Sequence, residues 1–178
     1  MSATENKTAK KVYTGPSGIQ GTGVFATRDL ARGELVLAID DSRVVDDDHP
    51  LNPLAGEFEL HCDYLEDGRV VLMLYPERHI NHSCDPNTYV KTILGTRFVF
   101  ALRGIKKDEE ITYDYCINGG GDTVWECHCG VERCLHTIHS DFFHLPFERQ
   151  VEYLPLLDEW YVREHRAKVE ALIRRLLK

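Results

Sequence analysis

Long apolar runs are absent from this 178-residue chain. None approaches the roughly 20 residues that a bilayer-spanning helix needs. The opening MSATENKTAKK also lacks the apolar core of a secretory leader. These absences predict an intracellular protein, cytoplasmic or nuclear, with no membrane partner. Positive charge is in deficit: 21 Lys and Arg face 29 Asp and Glu, a net charge of −8. That balance opposes direct nucleic-acid binding and suits a basic partner. Cysteine is scarce, six in all, and in a reducing compartment a tight group of thiols reads as a metal site rather than a disulfide framework. There is no internal repeat and no βαβ alternation, and hardly a helix-like segment precedes residue 140. A parallel α/β architecture is thereby excluded.

What is present is a set of short strand-like runs. Val24–Ala26, Glu34–Ile39, Val70–Leu74, Tyr89–Leu94 and Arg97–Leu102 are apolar or alternating over strand length. Turn signals separate them, and Asp67-Gly68 and Gly95-Thr96 sit where tight hairpin turns belong. The prediction is a mostly β fold of one domain. Residues 1–10, polar and charged, read as a disordered tail. Residues 118–122, Asn-Gly-Gly-Gly-Asp, read as a flexible joint. From Glu148 to Lys178 the pattern turns helical, with Val162, Val169, Leu172, Ile173 and Leu176 at helical spacing. Pro155 divides this stretch into a short helix and a long one starting near the proline. The long helix packs on its own domain or pairs in a homodimer; no clean heptad favours the dimer.

Four clusters carry chemistry. Gly21-Thr22-Gly23, within GIQGTGVFA, would let a ligand approach backbone N–H groups, although on its own the pattern is better explained as a plain β-turn. His79 to Asn87, HINHSCDPN, packs amide, imidazole, hydroxyl and thiol together more densely than a turn requires. In EEITYDY, Tyr113 and Tyr115 share one face if the segment is a strand. CHCGVERC sets Cys127, Cys129 and Cys134 within eight residues. A closed tetrahedral zinc site needs a fourth ligand, and Cys62, Cys84, Cys116, His128, His136 and His139 can each coordinate zinc chemically.

Taken in this order, GTGVFA, INHSCDPN, EEITYDY and the C-x-C-G-x3-C pattern resemble the SET-domain family of S-adenosylmethionine-dependent protein-lysine methyltransferases, here with a post-SET zinc segment. The resemblance runs from about Lys11 to Cys134. It implies a SET-domain fold of several small sheets with a C-terminal pseudoknot, followed by a helical extension. Residues 11–118 would then form the SET domain, 119–140 the post-SET segment and 141–178 the extension. It implies Zn²⁺ held by Cys84, Cys127, Cys129 and Cys134. It also implies S-adenosyl-L-methionine held by Gly21, Thr22, Gly23, Asn81 and His82, with Trp125 stacking on the adenine or merely packing. Tyr115 would be the catalytic tyrosine, and Tyr113 would limit the product to mono- or dimethyl-lysine. The expected partner is a protein bearing a target lysine, histone-like or otherwise basic.

The chain departs from the family pattern where Cys134 is followed by Leu135-His136 instead of Arg-Gly, and where no cysteine-rich cluster precedes the domain. Three other readings compete: a non-catalytic SET-like interaction module, a methyltransferase of small-molecule amines, and a nucleic-acid-binding zinc module. Intact Tyr115, Asn81 and the glycine pair oppose the first, and acidic charge opposes the last.

Overall fold

The computed structural model describes residues 11–178, so the expected tail at 1–10 lies outside the described residues. Small sheets dominate. In the first, β1 (Val12–Pro16) pairs antiparallel with β2 (Thr22–Ala26) across a turn in which Gly21 takes φ +51°. Next to β2 lies β10 (Glu110–Tyr113), antiparallel to it, and β10 pairs in turn with β7 (Asn81–His82). That last pairing is parallel and sets Thr112 opposite Asn81 and Tyr113 opposite His82. Val24 and Ile111 are fully buried, as expected of β-branched residues on the inner face of a pleated strand.

The second sheet runs β3 (Leu35–Ala38), β9 (Thr96–Ala101), β8 (Thr88–Ile93). Its hairpin turns on Leu94 and Gly95, both with positive φ, the type I′ pattern that matches strand twist. The turn therefore falls one residue before the expected Gly95-Thr96, because Thr96 already pairs with Ile93. A third sheet, β4 (Val44–Val45), β6 (Val70–Leu72), β5 (Cys62–Tyr64), is built from the insert between β3 and β7. A two-stranded ribbon of β11 (Val124–Glu126) and β12 (Thr137–His139) frames the cysteine cluster.

Two cores result. One joins Val24, Val36, Val99, Ile105 and Ile111 between the sheets. The other joins the four clustered cysteines with Phe142, Tyr153, Leu157, Tyr161, Val169 and Leu172. The C-terminal residues thus pack on the cysteine segment. They form α1 (Phe147–Tyr153), a single 3-10 turn through Pro155, α2 (Glu159–Glu164) and α3 (Arg166–Leu176). The single long helix expected after Pro155 is thus two. His165 leaves helical geometry at φ −101°, ψ 26°, and its ring lies against Tyr161, tilted 55° with centroids 4.3 Å apart. The bend lets Tyr161 from α2 and Val169 and Leu172 from α3 enter one core. Ile173 and Leu176 stay exposed. Among the described residues, no helix is long and apolar enough to cross a membrane.

The expected joint at 118–122 is pinned at its start. Asn118 Oδ1 accepts from Asp158 N–H at 2.7 Å, and Gly119 O accepts from Phe142 N–H at 3.0 Å and Tyr161 O–H at 2.8 Å. A Cβ on Gly119 would press into the Ser140 carbonyl oxygen and lie 2.8 Å from Tyr115 O. Close approach, not flexibility, requires this glycine. Gly119→Ala should therefore destabilise the protein by about 1–3 kcal/mol, read from the urea midpoint; an unchanged midpoint would show that the contact relaxes freely.

Candidate active site and metal centre

The sulfurs of Cys84, Cys127, Cys129 and Cys134 all lie within 4.8 Å of one another. Cys84 and Cys127 are 3.9 Å apart, too far for a disulfide. It is close to the edge of about 3.8 Å that a tetrahedron with 2.3 Å zinc–sulfur bonds requires. Burial pushes the Cys84 thiol well above its ordinary pKa and the Cys127 thiol up to about 12. For Cys129, burial is outweighed by hydrogen bonds from backbone N–H groups and neighbouring thiols, and its pKa falls to about 7. Held this closely in a buried site, the four thiols can all be thiolates together only beside a cation, so the donor set fits zinc. Backbone N–H groups of Leu135 and His136 point at Cys84 and Cys134 sulfur, at 3.5 and 3.3 Å, the kind of outer-shell support that orients ligands.

Neither the remaining cysteines nor the nearby histidines join this group. Cys116 is buried and donates to His139 O at 3.1 Å; Cys62 lies on β5. One residue that joins this region to the extension gave no signal in the sequence. Arg149 of α1, 7% exposed, donates to the Cys84 carbonyl, to Arg133 O at 3.0 Å and to Tyr153 Oη at 2.9 Å. A buried guanidinium is tolerable when its donors are satisfied in this way, and here it bolts the extension to the metal loop.

Almost every polar residue of the INHSCDPN motif has a structural partner. The Asn81 amide nitrogen reaches Ser17 Oγ, Gln20 O, Thr22 O and Glu110 Oε1 at 2.9–3.3 Å, tying the glycine turn to β10. No described residue donates to its Oδ1. His82, 6% exposed, accepts Tyr115 N–H on Nδ1 at 3.2 Å, and burial lowers its pKa, so the neutral ring is favoured. Ser83 N–H donates to Tyr113 O at 3.1 Å. Asn87 bridges β10 through Glu110 O at 2.7 Å and Thr112 N–H at 2.9 Å. Gly23 has a packing reason: a Cβ there would sit 2.8 Å from Glu110 Cδ and 3.1 Å from Ser17 Cβ. Ser17 and Glu110 carry no sequence signal of this role: Glu110 stands in EEITYDY beside the tyrosines, and Ser17 lies outside the four motifs.

The two tyrosines line a cleft of about 570 Å³, whose walls include Tyr89, Ile117, Asp63, Tyr64 and Trp160. Tyr115, 39% exposed, donates its hydroxyl to Ile80 O at 2.8 Å. Its ring lies 4.9 Å from that of Tyr113 and 5.3 Å from that of His82. Trp125 stands edge-on to His82 at 5.6 Å. Burial raises both tyrosine pKa values, so both hydroxyls stay protonated near neutrality. The Asn81 Oδ1, to which no described residue donates, the open turn at Gly21 and the partly exposed Trp125 beside His82 and Tyr115 are groups that could hold S-adenosylmethionine, with an acceptor for its ammonium and an aromatic surface for its base.

The comparisons agree with this geometry. The family model described as SET domain matches residues 21–116, more than half of the chain, and the chain belongs to the SET-domain family. It is 33% identical over 146 residues to the histone-lysine N-methyltransferase trithorax of Drosophila virilis, covering 72% of this chain and 4% of that protein. It is 35% identical over 127 residues to the histone-lysine N-methyltransferase ASHH3 of Arabidopsis thaliana, covering 64% and 34% respectively. The chain thus spans only part of the relatives it matches. Among solved structures, KRYPTONITE in complex with mCHG DNA and SAH superposes with TM-score 0.55 at 19% identity, over 71% of this chain and 28% of that one. That likeness concerns the fold.

Zinc analysis of the purified protein should give about one ion per chain, and Cys84→Ser should lower occupancy sharply. Chelation should expose amides of residues 119–140 to hydrogen exchange before strands β1–β3 open. Full occupancy in Cys84→Ser would remove that residue from the ligand set.

Proposed function

We propose that this chain transfers methyl groups from S-adenosylmethionine to the side-chain amine of a lysine in a protein, with mono- or dimethyl-lysine as product. The reading is supported above all by the register of β10 on β7, which seats the cleft tyrosines beside Asn81 and His82. The relatives named histone-lysine methyltransferases and the net charge of −8 support a basic, histone-like substrate and hence a nuclear or cytoplasmic site of action.

When bound, S-adenosylmethionine supplies an electrophilic methyl on a positively charged sulfur. Asn81 and the Gly21–Gly23 turn hold and orient it, with His82 contributing through backbone groups and Trp125 through its ring. The lysine amine has a reference pKa of about 10.4 and must be neutral to attack. Asp63, Glu66 and Asp67 line the same cleft and favour the ammonium form, so the nearby sulfonium, together with the rings of Tyr89, Tyr113 and Tyr115, would have to disfavour it at the reacting nitrogen. The tyrosine hydroxyls hold their own protons, so the lysine proton leaves to water. The Tyr115 hydroxyl, anchored on Ile80 O, keeps its oxygen lone pairs available to orient the amine. Such orientation contributes several kcal/mol to a bimolecular transfer. The Tyr113 hydroxyl takes up space beside the nitrogen, which leaves little room for an amine already carrying methyl groups.

Incubation with labelled S-adenosylmethionine and a lysine-peptide array tests the activity; no transfer to any lysine peptide would overturn it. Tyr115→Phe should leave the fold intact and lower kcat by about 10²–10³-fold, the usual loss when a positioned polar group in a transition state is removed. Tyr113→Phe should keep the first methylation and shift products toward higher methylation in mass spectra. If Tyr113→Phe abolishes turnover and Tyr115→Phe does not, the two roles are assigned wrongly. Asn81→Ala should weaken cofactor binding in calorimetry by at least tenfold, because a buried contact is lost and Glu110 and Ser17 lose a partner.

A further inference from the structure

The C-terminal extension lies beyond the residues matched by the family model, yet two of its residues, Asp158 and Trp160, line the same cleft as Tyr113 and Tyr115. Their placement is fastened from several sides. Lys91 Nζ donates to Leu157 O. The Asp158 carboxylate, 2% exposed, accepts Thr92 N–H at 3.0 Å and Thr92 Oγ1–H at 2.6 Å from β8. Its own N–H donates to Asn118 Oδ1 at 2.7 Å, and Trp160 Nε1–H donates to its Oδ2 at 3.1 Å. The indole is therefore locked by its only polar atom. It packs partly on the second core and stays half-buried at the cleft.

The same cleft is also lined by Leu60, Asp63, Tyr64, Glu66 and Asp67. They belong to residues 44–68, which hold eight of the 29 acidic residues and none of the 21 Lys and Arg. The remaining 21 acids and 21 bases cancel, so the whole net charge of −8 resides in this block. Several of these acids have arginine partners. Glu66 pairs with Arg163 of α2, through side chains 52% and 66% exposed, and an ion pair so open to water holds weakly. An aromatic face and a weakly held carboxylate lining one cleft are the chemistry that receives a cation.

Resting on the lysine methyltransferase reading, we propose that Trp160 is a specificity-determining residue. With the acidic block lining the same cleft, it receives an arginine or lysine flanking the target lysine, and that cation takes the place of Arg163 at Glu66. Asp158 acts as a positioning residue that holds the indole toward the cleft. The extension is then the outer wall of the substrate site and selects lysines in basic segments.

The test uses the full zinc-loaded chain and a set of equal-length peptides, each with one target lysine. One arginine is moved through the flanking positions, and glutamine replaces it in the control. The wild type should prefer an arginine at a specific position by about tenfold in kcat/KM, chiefly through KM, the size of one partly desolvated cation–aromatic contact. Trp160→Leu should collapse that preference, Trp160→Phe should retain part of it, and Glu66→Gln should reduce it. Calorimetry with S-adenosylmethionine reports whether each variant is folded; should Trp160→Leu fail there, Trp160→Phe and the exposed Glu66→Gln decide. A wild type that methylates arginine and glutamine peptides equally overturns the inference while the methyltransferase reading stands. So does a Trp160 variant that binds cofactor and keeps the preference. A wild type that methylates no peptide overturns both.

Discussion

Everything at the active site depends on one strand pairing, the parallel contact of β10 with β7. It joins segments about 30 residues apart, and with two residues on each side it is too short to hold by its ladder alone. Side chains complete it. Asn87 grips β10 from within the loop that follows β7, and Thr88 donates to Thr112 O at 2.8 Å. Asn81 fastens the same strand to the glycine turn through Glu110. The density of polar residues in INHSCDPN is thus a consequence of topology. The motif replaces missing backbone pairing with amide and hydroxyl contacts, and buried polar groups must be satisfied somewhere.

From that pairing the two chemistries of the fold diverge. Asn81 and the turn at Gly21 form the surface proposed above for the cofactor, and Tyr113 and Tyr115 line the cleft. Two residues beyond β7, Cys84 enters the metal cluster and draws the segment after residue 119 onto the same loop. Arg149 then couples the cluster to the extension by donating to the carbonyl of Cys84 itself. Metal loop, extension and active-site strand form one mechanical unit, so disorder in any of them is expected to reach the cleft.

Charge is organised as unevenly as polarity. The acidic insert is held to the β core by Arg97, buried between Asp41 and Asp63, and its pKa is raised by these two carboxylates against an opposing cost of burial. Arg97 and Asp41 are only 12% and 17% exposed and Asp63 is 41% exposed, so the Arg97–Asp41 pair is the sheltered, structural one, unlike the open Glu66–Arg163 pair. Within one cleft, the protein carries both a fixed electrostatic anchor and a replaceable one.

Much was legible in the linear sequence where local chemistry decides the outcome. Apolar runs marked most of the core strands, and the four motifs in order identified the family and the cysteines that meet. Helical spacing offered Val169, Leu172, Ile173 and Leu176 alike, but only Val169 and Leu172 are buried, because only they meet the second core. What the sequence did not reveal was set by distant partners. The looseness expected at Asn118-Gly119 vanished because Asp158, Phe142 and Tyr161 converge there. The long C-terminal helix became two because Tyr161 and Val169 share one core. Ser17, Glu110, Arg149 and Trp160 are ordinary residues in sequence, and only the tertiary structure gave them roles. A hydrogen bond or cleft wall is defined by groups that the chain brings together from far apart, and local composition carries no record of that meeting.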